Sequence, residues 1–148
     1  MRCILFIFLF MSFVLSSQNC IRVDTVYCTA KLRELGNRDI RFGVKQMAED
    51  LLSEKYCLSN AGDAIQIEIY YFGIPKTTLR IAGYERSNQV TQVGVRFYFK
   101  NKKYEGVGES ETEVRAVMIE LQDGIPFQKT TVSSAIKKAI QECVSLLP

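Results

Sequence analysis

An α+β fold follows from the sequence: a two-layer sandwich whose mainly antiparallel sheet of about five strands is covered by two helices. Three observations predict it. Two stretches, Arg41 to Tyr56 and Thr130 to Leu147, space their apolar residues as one face of a helix. Between them lie runs in which apolar and polar residues alternate, the period of half-buried strands. Each helix has only one apolar face, and two such faces need a flat surface to cover. The 148 residues suit one domain.

Along the chain, residues 21–30 are β-branched and partly alternating, which predicts a first strand. Gly36-Asn37-Arg38-Asp39 breaks it and offers a helix cap. Phe42, Val44, Met47, Ala48, Leu51, Leu52 and Tyr56 then form one apolar face, with Lys45, Glu49, Asp50, Glu54 and Lys55 mostly opposite. Asn60-Ala61-Gly62-Asp63 is a turn. In the strand over 64–72, Ile65, Ile67, Ile69 and Tyr71 are expected on one face, and Gln66, Glu68, Tyr70 and Phe72 on the other. Gly73-Ile74-Pro75 ends it, and Thr77 to Tyr84 is a shorter strand.

A hairpin is expected over 89–110, turning at Lys100-Asn101-Lys102-Lys103. With Asn101-Lys102 as its loop, Phe97 faces Gly106 and Val95 faces Gly108, each glycine leaving room for a large neighbour. On the other face Tyr98 meets Glu105 and Arg96 meets Val107. Residues 114–121 fit strand or helix, and the following Asp123-Gly124 favours a strand entering a hairpin. In the last helix Val132, Ala135, Ile136, Ala139, Ile140, Cys143, Val144 and Leu147 keep the apolar spacing throughout. Thr130, Thr131 and Ser133 are its candidate caps.

The first 17 residues differ in kind. Arg2 precedes an apolar run from Ile4 to Leu15, interrupted only by Ser12 and followed by Ser16-Ser17-Gln18-Asn19. That layout is a secretory signal cut after Ser17, leaving 18–148 as one domain in the periplasm, on the envelope or outside the cell. A retained anchor is the rival reading, although the run is short of the ~20 residues that span a bilayer. Lipid attachment at Cys20 is a third, with Gln18 and Asn19 bulky for such a site. A cut leaves Cys20, Cys28, Cys57 and Cys143, which allow three disulfide pairings in an oxidising compartment or remain buried thiols.

The composition also bounds the chemistry. The chain has 47% hydrophobic and 24% charged residues, as a folded protein does. A net charge of +3, with both signs mixed, gives no footprint for nucleic acid. There is no histidine, which excludes Ser-His-Asp and Cys-His systems and every imidazole-dependent metal site. Gly106-Val107-Gly108-Glu109-Ser110 is neither a phosphate loop nor a nucleophile elbow. Glu109, Glu111 and Glu113 share a strand face and could offer oxygens to calcium, but lack the loop carbonyls that complete such a site. They would work as an acid–base pair only if a pocket raised one pKa. Lys100, Lys102 and Lys103, beside Tyr98 and Tyr104, make a basic tip of a kind that binds single strands or headgroups, though solubility is its simpler role. Tyr70, Tyr71 and Phe72 exceed what one sheet face needs and are the candidate partner-contact patch.

The amphipathic helix ending in Leu51-Leu52-Ser53-Glu54-Lys55-Tyr56, the Ile-x-Ile-x-Ile strand, the Val-x-Val-x-Phe-x-Phe hairpin with its Lys-Tyr-Glu-Gly-Val-Gly return, and the closing Ser-Ala-Ile-Lys-Lys-Ala-Ile helix follow one another over residues 40–146. This order resembles the small periplasmic modules of the curli-assembly (CsgG-like) family and related outer-membrane accessory lipoproteins. The resemblance implies an envelope role in assembly or secretion, oligomerisation and no enzyme activity. The chain departs from the family in lacking a convincing lipobox and the long membrane-inserting hairpins of a full channel, and no site residue carries over. The expectation is a non-enzymatic envelope or secreted module, without cofactor or metal, that binds another protein or itself. Membrane association would come only through a lipidated Cys20. The alternative is a small-ligand domain whose pocket is walled by the aromatic strand 64–72.

Overall fold

The periodic stretches become eight elements among the residues that this computed structural model describes, 20–30, 39–81, 84–117 and 129–148. They are β1 (Cys20–Cys28), α1 (Arg41–Ser53), β2 (Cys57–Leu58), β3 (Asp63–Gly73), β4 (Lys76–Ile81), β5 (Tyr84–Phe99), β6 (Lys102–Val117) and α2 (Lys129–Leu146). The leader and its cut, the breaker at 36–38, residues 118–121 and the turn at Asp123-Gly124 lie outside the described residues. The fold is α+β, as the sequence predicts. Five strands carry the sheet, and the two-residue β2 extends its edge.

β5 organises the sheet. One of its edges holds β3 along the C-terminal half and β4 along the N-terminal half, and β6 runs the length of the other. All of these pairings are antiparallel. β1 is the exception: it lies parallel to β3, with α1 as the crossover that a parallel pair requires. β2 adds a short parallel contact, Cys20 with Cys57 and Ile21 with Leu58. A disulfide joins Cys20 to Cys57 and closes a loop with a sequence separation of 37. Loops of that size typically contribute about 2–4 kcal/mol by restricting the unfolded chain.

Two bulges set which side chains face inward. In β1, Val23 pairs with Ile65 and Thr25 with Gln66, so Asp24 is the extra residue. Ile21 and Val23 are buried before it, and Val26 and Cys28 pack on the core after it, which explains the imperfect alternation of this strand. In β3, Ile69 pairs with Val95 and Tyr71 with Gly94, leaving Tyr70 as the extra residue. This corrects the expected faces. Beyond the bulge Phe72 turns into the core at 9% exposure, and Tyr71 turns out at 44%.

The hairpin register also differs from expectation. Phe99 pairs with Lys102, so the two-residue loop is Lys100-Asn101, and both residues have positive φ, 50° and 59°. A two-residue turn with both φ positive matches the twist of the flanking strands, and asparagine tolerates that conformation. The partners are therefore Phe97 with Tyr104, Val95 with Gly106, Val93 with Gly108, Arg96 with Glu105 and Tyr98 with Lys103. The shift is two residues, so every side chain keeps its expected face while its partner changes.

Both helices pack on the same face of the sheet. Val44, Ala48, Leu51 and Leu52 of α1, and all eight stripe residues of the C-terminal segment from Val132 to Leu147, are buried. They meet Ile21, Val23, Ile65, Ile67, Ile69, Val93, Val95, Phe97 and Phe99 in one core. Phe42 is a correction: it lies 70% exposed at the start of α1. The candidate caps Thr130, Thr131 and Ser133 lie inside α2. Tyr56 Oη donates to the Pro148 carbonyl at 2.7 Å, and Lys55 Nζ to that of Val144 at 3.5 Å, tying the end of α1 to the end of α2.

The two glycines of β6 face α2, and this is their use. A Cβ at Gly108 would collide with the Ala135 carbonyl and meet Ala139 N at 2.6 Å. One at Gly106 would collide with the Ala139 carbonyl and meet Cys143 N and Sγ at 3.0 Å. The side chain that Gly106 would crowd is thus not Phe97; the obstacle is helix backbone, which has no rotamer to change. Cys143 fills the adjacent space, its Sγ donating to the Val95 carbonyl at 3.4 Å, and burial pushes its thiol up to about 12.

Two measurements test this packing. Gly108→Val should lower the urea midpoint by more than Gly106→Val, each by at least the ~1–3 kcal/mol of ordinary overpacking. Ile140→Ala should cost about 2–5 kcal/mol, whereas Lys137→Ala, on the exposed side of α2, should stay within about 0.5 kcal/mol. A Gly108→Val midpoint equal to wild type is incompatible with the helix–strand contact described.

Candidate functional site

With both helices on one side, the other side of the sheet has no covering layer among the described residues. Strand pairing arranges its side chains in rows. Thr25, Gln66, Tyr98 and Lys103 form one row, and Tyr27, Glu68, Arg96 and Glu105 the next. Tyr71, Gly94 and Val107 form a third, and Gly73, Gln92 and Glu109 a fourth.

Glu68 is the hub of the charged row and is only 7% exposed. Its carboxylate accepts from Thr29 Oγ1 at 2.6 Å, Tyr98 Oη at 2.7 Å and Arg96 Nη1 at 3.5 Å. A covered carboxylate needs such partners, because an unpaired one would be costly. The Thr29 and Tyr98 hydroxyls, followed by the Arg96 guanidinium, hold Glu68 below the usual carboxylate range despite its burial. The same bond, with burial, pushes Tyr98 up to about 12. Arg96 also donates Nε to Glu105, which Lys103 pairs at 3.0 Å. Lys103 and Arg96 keep Glu105 below its ordinary value.

Arg96 links this network to the aromatic row. Its guanidinium carbon lies 3.8 Å from the centroid of the Tyr70 ring, a cation–π stack. The Tyr70 ring in turn lies over Gly94, where a Cβ would meet its Cζ at 2.6 Å. The bulge therefore places two successive tyrosines on the open face. Tyr70 is clamped between backbone and arginine, and Tyr71 stands out, with its Oη donating to Gln92 Oε1 at 3.4 Å. Val107, across Gly94 from Tyr71, is 49% exposed.

Of the three residues expected to form a contact patch, the structure brings Tyr70 and Tyr71 together and sends Phe72 to the core. It adds Val107, for which a lone valine between two glycines gave no signal. Gln92, Arg96 and Glu105 were also unmarked, because their roles depend on cross-strand pairing. Glu109 and Glu111 are exposed, and Glu109 Oε1 accepts from Gln92 Nε2 at 2.7 Å. The side chain of Glu113 lies outside the described residues. No group of three or more carboxylates, thiols or imidazoles placed to hold a metal occurs among the described residues. At the basic tip, Lys100 pairs with Asp63 at 2.9 Å and Lys103 with Glu105, so much of its charge is already matched.

Cys28 is a half-buried thiol that burial holds above its usual pKa, and Cys143 is a buried one. Cys20 is in the disulfide, so in this state its sulfur is not free for a thioether. As for chemistry, the array holds Glu68 ionised, the reverse of the raised pKa that a general acid needs near neutrality. What it provides is a fixed surface: an apolar centre on a rim of ordered charge.

No protein-family model matches the sequence, and no curated protein matches it. Among solved structures the chain is similar to a minor lipoprotein from Acinetobacter baumannii, at 9% identity and a TM-score of 0.43, with 86% of each chain covered. It is also similar to an uncharacterised protein, at 8% identity and a TM-score of 0.32, with 85% of each chain covered. These are likenesses of general layout, and they carry no link to curli assembly.

The Glu68 network has a pH signature. A carboxylate whose folded pKa is depressed adds stability that is present above the unfolded value, about 4.3 for glutamate, and lost as pH falls through the folded value. Glu68→Gln should therefore be less stable than wild type at pH 7, and the gap should narrow as both are unfolded below pH ~4. A gap that is constant from neutral to acid pH would count against an ionised Glu68.

Proposed function

We propose that this chain is a non-catalytic module, exported to the envelope or beyond, which acts in assembly or secretion by holding another protein on its uncovered sheet face. The observation that carries the reading is the Tyr71–Gly94–Val107 row. It is an exposed apolar centre supported by the clamped Tyr70 and bordered by the Arg96, Glu105, Gln92 and Glu109 side chains. Protein interfaces have this anatomy, with aromatic anchors at the middle and a polar rim. Tyrosines that are already ordered lose little side-chain freedom on binding. The Cys20–Cys57 disulfide supports the export part of the proposal, because such bonds persist in oxidising compartments.

A small-ligand pocket walled by the aromatic strand has less support. The Tyr70 ring fills the space above Gly94, and Phe72 belongs to the core. The open cleft beside the hairpin tip is walled by Ala64, Gln66, Tyr98, Phe99, Asn101 and the tip lysines, so Tyr70, Tyr71 and Phe72 take no part in it.

The test is site-specific photo-cross-linking in the native host. A photoreactive residue at position 107 should give discrete protein adducts, and the same probe at the exposed position 42 on the helix side should not. Equal adduct patterns at both positions, or none at 107, would overturn the reading.

A further inference from the structure

The two tyrosines at the β3 bulge are seated alike and covered differently. Each ring lies over a glycine: Tyr70 over Gly94, and Tyr71 over Gly73, where a Cβ would meet the Tyr71 Oη at 2.5 Å and its Cζ at 2.9 Å. On Tyr70 the stack is complete. The Arg96 guanidinium carbon lies 3.8 Å from its centroid, and Arg96 Nε donates to Glu105. On Tyr71 the glycine is below and a carboxylate lies to one side. Its hydroxyl donates to Gln92 Oε1 at 3.4 Å, and Gln92 Nε2 to Glu109 Oε1 at 2.7 Å, so one carboxamide separates ring from carboxylate. Among the described residues no cation stacks on Tyr71, and neither Glu109 nor Glu111 is in an ion pair. Lys138 donates to the Glu109 carbonyl and not to its carboxylate.

We propose that the outer face of Tyr71 receives an arginine from an extended segment of the partner protein, its guanidinium stacked on the ring and donating to Glu109. This rests on the protein-contact reading above and names the chemistry of the partner. The Tyr70–Arg96–Glu105 stack is repeated one row along as Tyr71 and Glu109 with the cation absent from this chain. A planar guanidinium serves both groups at once, stacking by its face and donating by its edge, which a compact ammonium does less well.

Charge fixes the direction of the complementarity. Toward the hairpin tip Glu105 is matched by Arg96 and Lys103, so that border of the patch is neutralised. The unmatched negative charge lies at the other border, on Glu109 and Glu111. Val107 and Glu109 are two residues apart on one face of β6, about 7 Å, which is also the spacing of alternate side chains in an extended peptide. The segment would therefore set an apolar residue on Val107 and its arginine two positions away.

The test is nitrogen–proton correlation NMR on the protein as processed by its host, at low ionic strength. The probes are the peptide acetyl-Ser-Val-Ser-Arg-Ser-amide and the same peptide with citrulline, which keeps the shape of arginine without its charge. The arginine peptide should shift the amides of Tyr71, Gly73, Gln92 and Glu109 in a saturable way, and salt at about 0.5 M should weaken it by screening. Citrulline, Tyr71→Leu and Glu109→Gln should each weaken binding by about two- to fivefold, the size of one exposed cation–π contact. Tyr71→Phe, which keeps the ring, should bind as wild type does. No saturable shift, equal binding of both peptides, shifts centred away from Tyr71 and Glu109, or Tyr71→Leu binding as wild type overturns the proposal. Cross-linking from position 107 separates the two readings. Protein adducts whose yield ignores Tyr71→Leu and Glu109→Gln sink the arginine and leave the protein-contact reading standing. An adduct with the mass of two copies of this chain overturns a foreign partner, and no adducts at all sink both readings.

Discussion

The close approach of α2 to β6 is the constraint on which the rest of the molecule depends. At Gly106 and Gly108 the helix backbone lies where a Cβ would otherwise be, so the C-terminal helix sits unusually deep on the strand. That depth brings Ala135, Ala139 and Cys143 against the sheet, with Ile136, Ile140 and Val144 buried beside them in the core. It also lets α2 reach around the sheet edge. Glu142 accepts from the Val107 amide at 2.7 Å, and Lys138 donates to the Glu109 carbonyl at 2.8 Å. Two groups that would otherwise invite another strand are thereby engaged, a common way of blunting an exposed edge.

One-sided helix cover has a cost, since the second face must remain stable in water. The molecule meets this with polar groups that satisfy one another. Glu68 is covered by the residues that hydrogen-bond to it, and Arg96 serves Glu68, Glu105 and the Tyr70 ring at once. Such a network is strong because it is complete, and removing one member leaves the others unpaired. Among the described residues, the same saturation leaves Tyr71 and Val107 as exposed apolar groups of this face.

Much of this fold was legible in the sequence, and the illegible parts share a physical cause. The α2 stripe from Val132 to Leu147 read correctly at every position, because helical spacing reports burial directly. The alternation of Val93, Val95, Phe97 and Phe99 also gave the right face. Alternation has a period of two, however, so a shift of two residues is invisible to it, and the turn at Lys100-Asn101 was misplaced by one position. Bulges defeat alternation altogether. The extra residue at Tyr70 exchanged the expected faces of Tyr71 and Phe72 and hid the composition of the candidate site. The parallel pairing of β1 with β3, and the choice of Cys57 as the partner of Cys20, depend on contacts far apart in the chain that no local pattern records. Phe42 is apolar but does not share the buried face of α1: two residues before the buried Val44, at 3.6 residues per turn, it lies nearly opposite, on the solvent side.

The disulfide has a mechanical consequence. Any pull on the chain ahead of Cys20 enters the domain at that residue and passes through the sulfur–sulfur bond directly to Cys57. The intervening segment, with β1 and α1, lies in a closed loop that carries no tension. Force would then be borne first by the turn into β3 and by the antiparallel ladders of β3, β5 and β6, where it loads many hydrogen bonds together. A domain hung from its N-terminus would in this way keep its parallel βαβ portion slack.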